Sequence, residues 1–178
     1  MLKKDYKKNY GVYAAITFAS VFFGLSFLFT SVALRVNGGN VFEVLAFRFL
    51  FGYLIYKILV IMKIVNLRKE KISIDNKKIC ILSILYPILY FLSEVFGVKL
   101  TSSSETGLIV ALMPVFIALL ASVFLKEKLD FIQYIFIIIS VTGVLLINLE
   151  NFSSKGNFLG IGILLVGVFI ASVYNILS

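Results

Sequence analysis

Histidine and tryptophan are absent from this chain and there is a single cysteine, Cys80, so the usual reactive centres cannot be assembled from it. A metal site of imidazoles or paired thiolates, His-based catalysis and an internal disulfide are all excluded. Carboxylates, guanidinium, ammonium and phenol groups remain, and two of them stand out by their surroundings. Glu94 lies in YPILYFLSEVFG and Arg48 in AFRFLFG, both inside apolar runs. A charge so placed is costly to expose to hydrocarbon, so each needs a partner or a wet cavity. At the usual helical rise Glu94 is about 6 Å and Arg48 about 10 Å from the ends of their segments on one common side, depths compatible with contact. The pair supports two readings: a structural tie between helices, or a polar site for a ligand or a proton. Tyr86, Tyr90 and Tyr174 can line a ligand cavity, although spacing alone does not select them. Lys57 sits near the other end of its segment, where its long stem can snorkel, and carries no functional expectation.

The elements that must position these groups follow from composition. Of 178 residues, 61% are hydrophobic before the 12 glycines are counted, against about 45 to 50% with glycine included in a soluble domain. Mean hydropathy is +1.05, and the apolar runs are long enough to cross about 30 Å of hydrocarbon. The expected fold is all-α: a polytopic integral membrane bundle of six transmembrane helices over 11–34, 41–62, 79–98, 104–125, 131–149 and 157–178. Six spans use about 120 residues, which leaves no room for an extramembrane catalytic domain, so no enzyme and no cofactor are expected. The first segment is a retained span and not a cleaved signal peptide, because its apolar run is long and no small-residue cleavage site precedes a polar mature domain.

Charge sets the orientation. Twelve Lys and Arg fall in the N-terminal tail, the 63–78 linker and the 126–128 loop, against three (Arg35, Lys99 and Lys155) on the other side. Basic residues favour the cytoplasmic face, so both termini are expected there, in the plasma membrane of a bacterial-type cell. The net charge of +8 is spread along the loops and not gathered on one soluble element, which argues against nucleic acid as a partner. The lipid bilayer is the partner that composition requires.

Segment four, TSSSETGLIVALMPVFIALLASVFLKEKL, carries the most signals. Ser102 and Glu105 have capping-box spacing and should satisfy amides at the helix start. Gly107, Ala111, Ala118 and Ser122 form a small-residue face that admits a close neighbouring backbone. Pro114 lies mid-span and denies the carbonyl of Val110 its helical partner, predicting a kink that is either architectural or part of a cavity wall. Pro87 breaks segment three in the same way. Segment six contains Gly156, Gly160, Gly167 and Ala171, whose spacing again predicts helix packing.

Taken together, these residues resemble the EamA-type ten-helix branch of the drug/metabolite transporter superfamily. The matching stretches are FFGLSF at 22–27, with Phe23 where Trp is usual, AFRFLFG around Arg48, GVKLTSSSETGLIVALMPVFIALLASVFLKEKL at 97–129, and QYIFIIISVTGVLLI with Gly143. The resemblance implies half of an inverted-repeat transporter: residues 1–10 a cytoplasmic tail, 11–149 a five-helix repeat, and 150–178 a loop plus the first helix of a second repeat. An odd helix count makes that second copy inverted. It further implies a secondary carrier of small metabolites or drugs, with Glu94, Arg48, Tyr90, Pro114 and Tyr174 as candidates for substrate or proton binding. No GxxxxGK[ST] motif is present, so ATP hydrolysis by this chain is not the expected energy source. About four more helices would complete such a carrier, so a second repeat or a partner chain is expected. The alternatives are a non-transporting membrane interaction subunit and an inactive truncated half-transporter.

Overall fold

A computed structural model describes residues 10–64, 76–127, 129–148 and 155–178. The tail, the centre of the basic linker and the loop after segment five lie outside the described residues, and with them many of the charges on which the orientation rests. The described chain is helical and contains no strand. Helix α1 is Tyr10–Val36 and α2 is Val41–Ile61. The connection between them is fixed locally: Gly38 and Gly39 take positive φ of 69° and 82°, which glycine allows without strain. Asn37 uses its side-chain oxygen to accept from the N–H groups of Gly39 and Asn40, each at 3.2 Å. Asn40 then caps α2 by accepting from the N–H of Glu43.

The third span has three parts: α3, Asn76–Ser83; a π-helical stretch, Ile84–Leu89; and α4, Tyr90–Leu100. Pro87 has no N–H to give, and the backbone of Tyr86 is extended (φ −142°, ψ 113°), so the ladder resumes only when the Tyr90 N–H reaches the Leu85 carbonyl. The Tyr86–Pro87 peptide is cis. The fourth span is also split, into α5, Ser103–Val110, and α6, Met113–Phe124. The interruption expected at Pro114 takes the form of a full break between two helices. The chain leaves the helix at Ala111 and Leu112 and restarts, which puts Pro114 in the first turn of α6, where a missing N–H costs nothing.

Helix α7 is Phe131–Asn148 and α8 is Lys155–Leu177. Five of the described spans are long and apolar enough to cross a membrane; the remaining apolar helix, Phe131–Leu146, is shorter. Helix α8 is the centre of the bundle, packed on α4, α5, α6 and the π-helical stretch, while α1 leans on α5 and α4, and α2 on α4. Phe27, Leu34, Val41, Leu45, Val95, Val98, Ile109, Leu164 and Val168 form one core. That core lies in the half of the bundle nearer the 37–40 and 101–102 turns, called the turn end below. In the other half, side chains such as Phe18, Phe22, Tyr53 and Ile58 are exposed. A bundle apolar on its outside as well as its inside belongs in lipid, where helices satisfy their own backbone groups. The protein is a multi-pass helical membrane protein.

Close approach of α4 and α8 rests on glycine. A Cβ on Gly97 would overlap the Leu164 side chain. At Gly167 it would come within 2.8 Å of the Ser93 Cβ, and at Gly160 within 2.8 Å of the Leu100 Cβ. Between helices in lipid there is little hydrophobic gain to be had, so such backbone-level packing is the main source of association.

Candidate functional site

Helices α2 and α4 cross near the turn end, and there the Arg48 Nη1 donates to Glu94 Oε1 at 2.7 Å. The sharing is uneven: the Glu94 side chain is 0% exposed and that of Arg48 26%. Phe91, one turn before Glu94 on the same face of α4, lies under the guanidinium, 4.3 Å from carbon to ring centroid. A cation over an aromatic face gains further electrostatic stabilisation where water is excluded. Glu94 Oε2 and the buried Tyr90 hydroxyl adjoin each other, and neither has a further hydrogen-bond partner among the described residues. Such unspent capacity in a dry site is costly and marks a place where a proton, water or ligand group fits.

Tyr90 and Tyr174 are joined through a third ring. Tyr86 stacks on Tyr90 with centroids 4.9 Å apart and on Tyr174 with centroids 5.0 Å apart. The extended backbone at Tyr86, inside the break before α4, puts the middle ring between its partners on α4 and α8. The structure therefore brings Glu94, Arg48, Tyr90 and Tyr174 into one cluster that spans α2, α4 and α8.

Pro114 lies elsewhere. It lines a cavity of about 780 Å³ between α1 and the α5–α6 break, with Phe23, Gly24, Gly107 and Ala111. Gly107 and Ala111 thus correct the expectation of a backbone contact: the nearest atom to a Cβ on Gly107 is Phe27 Cδ2 at 3.8 Å, and Ala111 is exposed. Ala118 is half-buried, and Ser122 Oγ donates to the Leu119 carbonyl. Ser102 Oγ accepts from the Glu105 N–H at 3.2 Å, while Glu105 Oε2 accepts from the Ser102 N–H at 2.9 Å, a reciprocal cap.

Sequence reasoning missed Phe91, although its position three residues before Glu94 was a usable sign. It also missed Thr101 and Thr106, whose hydroxyls meet at 3.2 Å, and Ser172, fully buried and donating to the Val168 carbonyl at 2.7 Å. Among the described residues no group of three or more His, Cys, Asp and Glu side chains is placed to hold a metal ion.

The bundle thus buries a charge pair between the continuous α2 and the interrupted third span. The chain belongs to the EamA-like transporter family, whose model matches residues 10–149. It is similar to an uncharacterized transporter of Bacillus subtilis, YcxC, at 34% identity over 92% of this chain and 52% of the relative. It is also similar to an uncharacterized transporter of Archaeoglobus fulgidus, at 25% identity over 86% of this chain and 52% of the relative. The chain thus spans about half the length of these relatives. No solved structure matches it.

Proposed function

We propose that the chain is the N-terminal half of a secondary carrier that moves small metabolites or drugs by alternating access. Residues 11–149 act as one five-helix repeat, and 150–178 supply a loop and the first helix of a second, inverted one. The observation that carries this reading is the buried Arg48–Glu94 pair, with its adjoining Glu94 Oε2 and Tyr90 hydroxyl, set in α2 and α4 between the break at Tyr86 and the turn end. Carriers of inverted-repeat design place polar sites near the midplane at interrupted helices, because only there can irregular backbone face a cavity instead of lipid. In this reading Glu94 is the group that exchanges a proton or a substrate cation, Arg48 holds it in register, and Tyr90 and Tyr174 line the path. Pro114 shapes the wall of a second cavity on α1. The N-terminus faces the cytoplasm and the membrane is the plasma membrane.

The test is reconstitution. The ten-helix assembly, with this chain joined to a second five-helix repeat, is expected to give saturable, gradient-driven movement of labelled metabolites in proteoliposomes, and this chain as a demonstrated monomer is not. Robust saturable transport by the monomer would contradict the half-carrier reading.

A further inference from the structure

The Arg48–Glu94 pair hides its anion and shows its cation. Glu94 is fully covered, whereas the Arg48 side chain is partly exposed, and Arg48 lines a cleft of about 610 Å³ between α1 and α2. Only Nη1 of Arg48 is engaged by Glu94, and its other N–H groups have no hydrogen-bond partner among the described residues. Across the cleft, on α1, Ser26 Oγ is buried and also without a hydrogen-bond partner. Phe22 and Phe29 on α1 and Phe47 and Phe51 on α2 give the wall its aromatic part, and Thr30, Asn37 and Glu43 line it toward the turn end. Those four rings are between half and two-thirds exposed, so the cleft opens sideways at the surface of the described helices.

We propose that this cleft binds a single-tailed amphiphile with an oxyanion head, a carboxylate or a phosphate monoester. The head accepts from the free N–H groups of Arg48, and the tail lies along the phenylalanines. Charge decides against a cationic head, because the pair's negative oxygen is sealed while its positive edge faces the opening. Depth decides against a free inorganic anion, since Arg48 is about 10 Å below the start of α2 at the usual rise and a small anion would lose its hydration there without compensation. The guanidinium fork matches two oxyanion oxygens at once, which a lysine would not do. Glu43 stands at the turn-end rim of the same cleft and keeps an anionic head from settling higher, which directs it to the level of Arg48. The volume falls in the range of ordinary small-ligand sites. Binding here is expected whether or not the assembled protein transports.

The experiment uses the whole chain in lipid nanodiscs and a diazirine-bearing dodecanoate as probe, with crosslinked peptides identified by mass spectrometry. Labelling is expected on the α1 and α2 residues that face the cleft. Dodecyl phosphate should compete at concentrations about tenfold lower than dodecyltrimethylammonium or dodecanol, and inorganic phosphate should not compete. The double variant Arg48→Met with Glu94→Gln leaves no bare charge and should lose labelling by about tenfold. If the double variant fails to fold, the competition series on the unaltered chain decides by itself. Equal competition by the phosphate, ammonium and alcohol amphiphiles, or labelling spread evenly over the lipid-facing helices, would overturn the proposal. Competition by inorganic phosphate would overturn its amphiphile requirement. Loss of transport in the assembled protein with labelling intact would count against the carrier reading alone.

Discussion

An arginine cannot shed its proton in hydrocarbon, whereas a glutamate can, and this asymmetry governs the Arg48–Glu94 contact at 2.7 Å. Removing Glu94 is therefore expected to be worse than removing both. Glu94→Gln should lower the unfolding free energy of the bundle in detergent by about 3 kcal/mol, the low end for a broken buried pair. Adding Arg48→Met should restore part of the loss. Chemical denaturation followed by far-UV circular dichroism measures this cycle, and additive single and double effects would show that the two side chains do not depend on each other. Both partners were legible in the sequence because each is an ionisable side chain inside an apolar run. The neighbours were not. Phe91 is one of 18 phenylalanines, and nothing but its spacing from Glu94 separates it from those that face lipid. The middle position of Tyr86 in its stack depends on the backbone break before α4, which residue type alone does not reveal.

Among the elements, helix ends and helix contacts behave differently under substitution. The reciprocal cap at Ser102 and Glu105 was readable from four residues, since capping is local chemistry. Ser102→Ala is expected to cost about 1 kcal/mol in unfolding free energy, and no change would mean that the amides of α5 find other acceptors. Glycine contacts depend on which helix lies opposite. Gly160 and Gly167 of α8 are pressed on α4, while Gly107, on an equally suggestive stripe, faces a cavity wall. The spacing is the same in both cases, and only the tertiary partner distinguishes them. Gly167→Val should destabilise the α4–α8 contact by about 1 to 3 kcal/mol, as overpacking does. Gly24→Ala, with nothing within 4 Å of the new Cβ, should be near neutral in the same unfolding assay. A large effect at Gly24 with none at Gly167 would mean that α8 does not pack as described. The split of the fourth span followed the same logic: Pro114 announced an interruption, but the helix resolved it three residues earlier, where the proline could begin a new helix without losing a bond.

For the molecule as a whole, the helical membrane class was legible from hydropathy alone, because lipid leaves a chain few ways to satisfy its backbone. The centrality of α8 was not, since it arises from contacts with α4, α5 and α6 that no local pattern encodes. Orientation remains a proposal that labelling can decide. Single cysteines placed in the 63–78 linker, in a Cys80→Ser background, should resist a membrane-impermeant maleimide in intact cells and react after permeabilisation; labelling in intact cells would reverse the topology. In the function proposed above, the Arg48–Glu94 pair is the polar centre of a carrier of which this chain is half. It is tested by uptake into proteoliposomes driven by an imposed proton gradient, with the ten-helix assembly, a substrate identified by screening labelled metabolites and equal amounts of folded protein. Glu94→Gln is expected to abolish gradient-driven accumulation per mole of protein that remains folded in the liposomes. Accumulation at the unaltered rate by the folded Glu94→Gln protein would contradict the account.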